Sequence, residues 1–186
     1  VSLDSEPAAA FTVTLPSLSF PSQLIGDDGS CFFMSTNTVS IASQRRSWLT
    51  KVSPTGDKLW EIDVLSTTGG YFKDLALLQK TNLVLSAYCK QGTIFPGQPA
   101  LTQSGLYLIR LSLDGVARGT KLLLASETEL GRNICLAPDG SGYTLAEYPG
   151  RLTFSNGNTL PEDYSHPTAI FGFDSAGNLT WAQRLP

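Results

Sequence analysis

Apolar and polar residues alternate along much of the chain, and the alternation is broken three times by a similar glycine-centred segment. These segments are Val52–Trp60, Leu111–Arg118 and Phe173–Trp181. A period of two places one face of each strand in a core, and glycine supplies the positive φ that a tight turn requires. Each segment is therefore predicted to form a β-hairpin.

The three hairpins recur at a nearly constant interval. Their central glycines, Gly56, Gly115 and Gly177, are separated by 59 and 62 residues. A motif that returns at a fixed long interval indicates a structural repeat. The sequence therefore predicts three units. Their approximate limits are residues 22–66, 70–126 and 130–186.

Each unit is also predicted to open with a hairpin of its own. We place the turns at Gly29, Asn82 and Gly140, because asparagine is the residue that best replaces glycine in a left-handed conformation. Together with the closing hairpin this gives four strands per unit. The middle connections of the second and third units, Ile94–Leu101 and Thr153–Leu160, share a similar pattern, which supports the repeat.

Two short segments precede the first unit. Phe11–Leu15 alternates cleanly and predicts a strand, whereas residues 1–10 are small and acidic and predict a poorly ordered tether. The first residue is Val1 rather than methionine, so we expect that an upstream segment such as a signal sequence is missing. The predicted organisation is a tether over residues 1–10 followed by one all-β segment over residues 11–186.

The composition favours β structure and argues against two classes of partner. Charged residues make up only 16% of the chain, and 17 glycines and 11 prolines provide many turns. The net charge of −3 offers no basic surface for nucleic acid. No apolar run approaches the roughly 18 residues of a membrane-spanning helix. We therefore expect neither nucleic-acid binding nor a membrane span.

Two segments resemble known propeller repeats. Asp174–Ala182 has the order Asp-x-x-Gly-Asn-x-x-Trp-Ala and resembles the bacterial SBBP-type β-propeller repeat. Leu59–Asp63 is similar to the strand that closes a blade in quinoprotein-type propellers. The resemblance extends over about residues 22–186 and implies four-stranded antiparallel blades arranged around an axis.

Two tryptophans occupy the same phase of the repeat. Trp60 and Trp181 each follow the turn glycine by four residues, which predicts that they pack between blades. In the second unit Gly119 stands at this position. We therefore expect the packing of the second blade to differ from that of the other two.

The predicted fold is all-β: a β-propeller-like array of about three four-stranded antiparallel blades. Closed propellers use about four to eight blades, so three blades are a partial propeller that a further segment or another copy of the chain completes. The alternative is a compact β-sandwich built from the same hairpins.

Residue types that carry chemistry are few. His166, the only histidine, lies in a polar segment and is expected to be a loop residue rather than a general base. The aspartate turns at Asp27–Ser30 and Asp139–Ser141 lack the spacing of a calcium loop, and Asx-type hydrogen bonding explains them. Cys31, Cys89 and Cys135 show no metal spacing and are expected to be ordinary thiols.

The expected role is that of a non-catalytic secreted or cell-surface binding scaffold without cofactor or metal. The alternatives are part of a propeller enzyme of the quinoprotein or glycoside-cleaving type, with its active site outside this segment, and a subunit of an extracellular assembly or filament. The expected partner is a protein, a glycan, further blades or a second copy. The candidate binding-surface residues are Trp48, Tyr71, Phe72, Tyr148 and His166.

Overall fold

The computed structural model describes residues 23–38, 45–65, 71–125, 134–148, 152–153, 159–160 and 168–185. Within these ranges all regular structure is β-strand. The described part of the chain contains no helix that could cross a membrane. The predicted tether over residues 1–10 and the predicted strand Phe11–Leu15 lie outside these ranges.

The strands form three four-stranded sheets. The first sheet contains β1 (Gln23–Ile25), β2 (Cys31–Thr38), β3 (Arg45–Val52) and β4 (Lys58–Leu65). The second contains β5 (Tyr71–Leu78), β6 (Asn82–Cys89), β7 (Gly105–Ser112) and β8 (Ala117–Ala125). The third contains β9 (Ile134–Leu136), β10 (Gly142–Glu147), β13 (Thr168–Phe173) and β14 (Leu179–Arg184).

Each sheet is a meander in which strands pair with their neighbours in chain order, and every pair is antiparallel. The predicted all-β class and the four strands in each unit are therefore confirmed. One element was not predicted: β11 (Leu152–Thr153) and β12 (Thr159–Leu160) form a short separate ladder within the middle connection of the third unit.

Each sheet opens and closes with a tight hairpin, and five of these six tight hairpins share one turn geometry with a glycine at positive φ. These glycines are Gly29, Gly56, Gly115, Gly140 and Gly177, with φ between 76° and 92°. In each turn the glycine N–H bonds the carbonyl three residues earlier, and that earlier residue donates its own N–H across the turn. This is a type I turn followed by a left-handed residue, which is the role predicted for the glycines.

The opening hairpin of the second sheet is different, and the predicted role of Asn82 is wrong. Gln79 and Lys80 have φ values of 48° and 59°, and the Thr81 N–H bonds the Leu78 carbonyl at 3.2 Å. Two consecutive left-handed residues form a type I′ turn, which connects the strands with a shorter loop. Asn82 is consequently the first residue of β6 rather than a turn residue.

Two hydrophobic cores separate the three sheets. The first core combines residues of the first and second sheets, and the second core combines residues of the second and third. Neighbouring residues of β6 point to opposite faces, so Leu83 and Leu85 enter the first core while Val84 enters the second. The second sheet is thus covered on both faces. In the alternative, a sandwich of two facing sheets, each sheet would be covered on one face only.

The first strand of each following sheet is also tied to the preceding sheet through its backbone. The Phe72 N–H donates to the Ser47 hydroxyl at 3.4 Å, and the Ile134 N–H donates to the Asp74 carboxylate at 3.1 Å. Since a buried N–H without an acceptor is costly, these bonds favour one alignment of neighbouring sheets. The sheets therefore stack in the order in which the chain forms them.

Candidate interaction surface

Two of the predicted surface residues are buried. Phe72 is 6% exposed and belongs to the first core, and Tyr148 is 0% exposed and belongs to the second core, where its ring meets Phe171 edge-on. Both rings are covered because the neighbouring sheet packs directly against them. Neither residue presents its ring to a ligand on this chain.

The other predicted surface residues are placed only in part. Trp48 is half-buried in β3, on the face of the first sheet that points away from the second. Tyr71 is the first residue of β5, and its side chain lies outside what the structure describes, as does all of His166. Of the five candidate residues, the three whose side chains are described, Trp48, Phe72 and Tyr148, do not form one site.

The aspartate turns have the predicted Asx-type hydrogen bonding. Asp28 accepts hydrogen bonds from the N–H and hydroxyl of Ser30, and Asp139 accepts the same pair from Ser141. The Ser30 hydroxyl, with its backbone N–H and Lys51, lowers the pKa of Asp28 to about 2. These carboxylates cap their own turns, as Asp174 does through Asn178 in the closing turn of the third sheet.

Trp60 joins the first sheet to the second. Its indole N–H donates to the Leu113 carbonyl at 2.9 Å, and its ring lies against Gly115, where an added Cβ would approach it to 3.1 Å. Leu113 and Gly115 belong to the closing turn of the second sheet. The predicted packing of Trp60 between units is therefore confirmed.

Arg110 provides the corresponding contact between the second and third sheets. It lies opposite Gly119 in the β7–β8 ladder and donates to the Ser175 carbonyl in the closing turn of the third sheet. Nothing lies within 4 Å of a Cβ added at Gly119. Lys121 adds a hydrogen bond of 2.9 Å to Asn178 in the same turn. Gly119, which stands where the other units have tryptophan, thus lies opposite Arg110, and Arg110 makes the contact between sheets from the neighbouring strand β7.

Trp181 occupies the same position in the third sheet but has no following sheet to meet among the described residues. Its indole covers Gly172, where an added Cβ would overlap the ring nitrogen, and 45% of the residue remains exposed. The predicted packing role is therefore fulfilled by Trp60, whereas Trp181 lies at the free end of the stack.

Trp181 is part of a larger exposed apolar surface, which we call the third-sheet outer face. Its members are Cys135, Tyr143, Leu145, Ile170 and Trp181. They line the side of the third sheet that points away from the second core. All but Trp181 border a shallow depression of about 120 Å³.

Tyr143 lies at the centre of this face, between Cys135 and Gly172 on the neighbouring strands. It is 49% exposed, and the adjacent Cys135 thiol raises the pKa of its phenol. The phenol is thus neutral at physiological pH. The centre of the face is thus aromatic and aliphatic, while the partly buried Glu147 and the exposed Gln183 lie on the same side of the sheet, next to Leu145 and Ile170.

The counterparts of these residues in the first sheet are buried in the first core or, like Trp60, pack partly buried against it. In the first sheet Phe32 and Trp60 lie on either side of Lys51. Tyr143 and Trp181 lie in the same way on either side of Gly172 in the third sheet. Phe32 is fully buried in the first core, and so is the next residue on that face, Met34. The third-sheet outer face therefore has the register of a surface that elsewhere in this chain packs against another sheet.

The third-sheet outer face contains one thiol, that of Cys135. No group of three or more histidine, cysteine or acidic side chains comes together anywhere in the described ranges. The three cysteines are unpaired: Cys135 is exposed, Cys31 is half-buried, and burial raises the pKa of the Cys89 thiol to about 12. Cys135 is thus the most accessible thiol and lies within the face itself.

Sequence reasoning missed most of this face. Tyr143 and Leu145 lie in a correctly predicted strand, but period two alone does not tell which side of a terminal sheet is covered. The repeat itself was the available signal. Positions that pack against the next sheet in the first unit are uncovered in the third unit, because no described sheet follows it. No protein-family model matches the chain, and a search of curated proteins finds no match.

Proposed function

We propose that the chain is a non-catalytic scaffold of the β-propeller type that binds a protein partner through the third-sheet outer face. The observation that carries this proposal is the combination of two half-exposed aromatic residues, Tyr143 and Trp181, with Leu145 and Ile170 on one face of the third sheet. Contiguous exposed apolar patches of this kind characterise interaction sites. Aromatic residues are enriched in such interfaces.

A protein partner fits this face better than a glycan. Sugar recognition requires polar groups around an aromatic ring, to satisfy the hydroxyls of the ligand. Here the depression beside Tyr143 is lined by aliphatic residues and a cysteine, and the polar side chains on this side of the sheet, Glu147 and Gln183, lie beyond Leu145 and Ile170. A sugar seated beside Tyr143 would therefore leave many hydroxyls without partners. An apolar surface of another protein would instead gain roughly 25 cal/mol for each Å² buried.

The propeller arrangement and the extracellular location belong to the same proposal. Stacking of four-stranded meanders in chain order, with one sheet covered on both faces, supports a propeller. The abundance of turn residues and the low content of charged residues support secretion, together with the resemblance to the bacterial repeat.

A photocrosslinking experiment tests the proposed surface. A benzophenone attached to Cys135, in a Cys31→Ser background, is irradiated in the extracellular and surface fraction of the producing cells. The control carries the same label at Ala100→Cys, an exposed position far from the face in sequence, with Cys135→Ser. Adducts with protein are expected at Cys135 alone and are expected to disappear with Leu145→Glu. Equal adducts at both positions, or a chain found only inside the cells, would overturn the proposal.

A further inference from the structure

The opposite end of the stack also exposes residues whose counterparts are buried. We call this surface the first-sheet outer face, with the members Ile25, Phe33 and Trp48. Thr50 and Val52 lie on the same side of the sheet and are buried, so the accessible part of this face is at Ile25 and the half-buried Phe33 and Trp48. Ile25 is 70% exposed. Its counterparts in the same rung of the other sheets, Leu77 and Leu136, pack against the first and second cores. Both ends of the stack thus carry sheet faces that are covered in the interior.

Trp48 follows the same rule. It precedes the turn glycine of its sheet by eight residues, as do Tyr107 and Ala169 in the second and third sheets. Tyr107 is 4% exposed and Ala169 is 0% exposed, because each faces the preceding sheet. The half-buried Trp48 occupies the corresponding position on the sheet that has no preceding one among the described residues.

One kind of polar contact, from a strand side chain to a turn carbonyl, recurs at both interfaces between the described sheets, and the chain carries both halves of a third such contact. Trp60 donates to the carbonyl two residues before Gly115, and Arg110 donates to the carbonyl two residues before Gly177. The corresponding donor of the third sheet is the indole N–H of Trp181. The remaining carbonyl belongs to Pro54, two residues before Gly56, in a turn with the same backbone bonds.

From these relations, and resting on the proposed function, we infer that the partner of the third-sheet outer face is the first-sheet outer face of a second copy of this chain. In this contact the Trp181 indole of one copy turns away from Gly172, lies over Gly56 of the other copy and donates to its Pro54 carbonyl. The sheets of the two copies then follow one another as the sheets within one copy do. The interface is head to tail, so each copy uses two different surfaces.

Two copies close the arrangement. Each contributes the three four-stranded sheets that the structure describes, and the six sheets of a pair lie within the range of about four to eight that closed propellers use. Closure covers Ile25 and Trp181 in both copies at once. Because the second interface forms within the same pair, it needs no further copy, which favours a dimer over an open chain of copies.

Light scattering or sedimentation equilibrium on the 186-residue chain tests the inference, between about 1 and about 100 µM. The expected mass is twice the 20.0 kDa of one copy. Trp181→Ala and Ile25→Glu are each expected to weaken association about tenfold or more. Val116→Glu is the control, because Val116 is 50% exposed in a turn outside both faces. All three positions are exposed, so unchanged circular dichroism and unfolding midpoints under dilute conditions show that the variants are folded.

Mixing the two interface variants separates a head-to-tail contact from a self-complementary one. A mixture of the Trp181→Ala and Ile25→Glu proteins contains one intact pair of faces, so it is expected to associate more strongly than either variant alone. The alkylation rate of Cys135 is expected to fall as the wild-type dimer forms. An unrescued mixture overturns the head-to-tail contact.

Two other results would overturn the inference. A mass that stays at one copy over the whole range excludes the second copy as the partner, and a mass that rises beyond two copies excludes the closed pair. If the chain stays monomeric while Cys135 crosslinks to a different protein, the proposed function stands and only this inference fails.

Discussion

Arg110 lies directly opposite Gly119 in the β7–β8 ladder, and its guanidinium reaches the closing turn of the third sheet. In the third sheet the opposite arrangement holds, with Trp181 lying over Gly172. In each pair a glycine stands opposite the long side chain, but the space beside Gly119 is open whereas the Trp181 ring fills the space over Gly172. The contact between sheets is therefore a property of the cross-strand pair rather than of one position in the repeat.

This relationship predicts coupling between the two positions. Arg110→Gly removes a charged hydrogen-bond donor and is expected to lower the free energy of unfolding by about 2 kcal/mol. Gly119→Trp alone is expected to destabilise the chain by crowding Arg110. The double variant recreates the third-sheet pair, so it is expected to recover part of both losses, with a coupling of about 1 kcal/mol or more in urea unfolding. Strict additivity of the single effects would contradict this account.

Trp60 is expected to contribute through both its hydrogen bond and its ring. Trp60→Phe keeps an aromatic ring but removes the bond to Leu113, which is expected to cost about 1 kcal/mol in unfolding free energy. The matched control is Trp181→Phe, measured at concentrations too low for association, where little change is expected. Equal losses for the two variants would show that the contact between sheets is not what stabilises Trp60.

The turn glycines differ from the strand glycine in what an alanine would meet. Gly115→Ala introduces a side chain at a φ of 81° and against the Trp60 ring, so a loss of roughly 1–2 kcal/mol is expected from the backbone conformation alone. Gly119→Ala enters open space in a strand and is expected to be neutral or slightly stabilising. Thermal and urea unfolding of both variants would check this. A stable Gly115→Ala protein would contradict the turn geometry.

The thiols are expected to react in an order set by burial. Cys135 is exposed, whereas burial holds the pKa of Cys89 at about 12, so little reactive thiolate forms at Cys89 near neutral pH. Alkylation of the dilute native chain, followed by peptide mass analysis, is expected to label Cys135 first. Cys89 is expected to react only after unfolding. Rapid native labelling of Cys89 would show that the first core is open.

Asp28 is expected to make stability depend on acid pH. The Ser30 hydrogen bonds and Lys51 lower the pKa of Asp28 from 3.8 to about 2, so the folded state favours the charged carboxylate. Its contribution is fully present above about pH 4 and is lost as the pH falls towards 2. The urea midpoint of Asp28→Asn is thus expected to lie below that of the wild type at neutral pH. The difference should shrink between pH 4 and pH 2, and Asp114→Asn, in an exposed turn, serves as the control.

The strands could be predicted from the sequence because both of their signals are local. Alternation and turn glycines placed the closing hairpins at Gly56, Gly115 and Gly177, and the structure has strands on either side of each. The turn at Gln79 and Lys80 escaped this reasoning because neither residue type signals a left-handed conformation. A single missing glycine was enough to misplace Asn82.

The surface could not be predicted in the same way because it depends on the order of the sheets. Phe72 and Tyr148 read as aromatic residues at the edges of units, yet both are buried because a neighbouring sheet packs against them. Tyr143 has the same kind of local sequence but lies on the one side of the third sheet that no described sheet covers. Only the spatial succession of sheets separates these cases.

Hydrogen exchange of the dilute native chain tests the stacking of the sheets most directly. The strands β6 and β7 belong to the sheet with both faces covered, so their amides are expected to exchange more slowly than those of β2 and β3 or of β10 and β13, the central strands of the outer sheets. Equal protection of the three sheets, or slower exchange in an outer sheet than in β6 and β7, would contradict the central position of the second sheet.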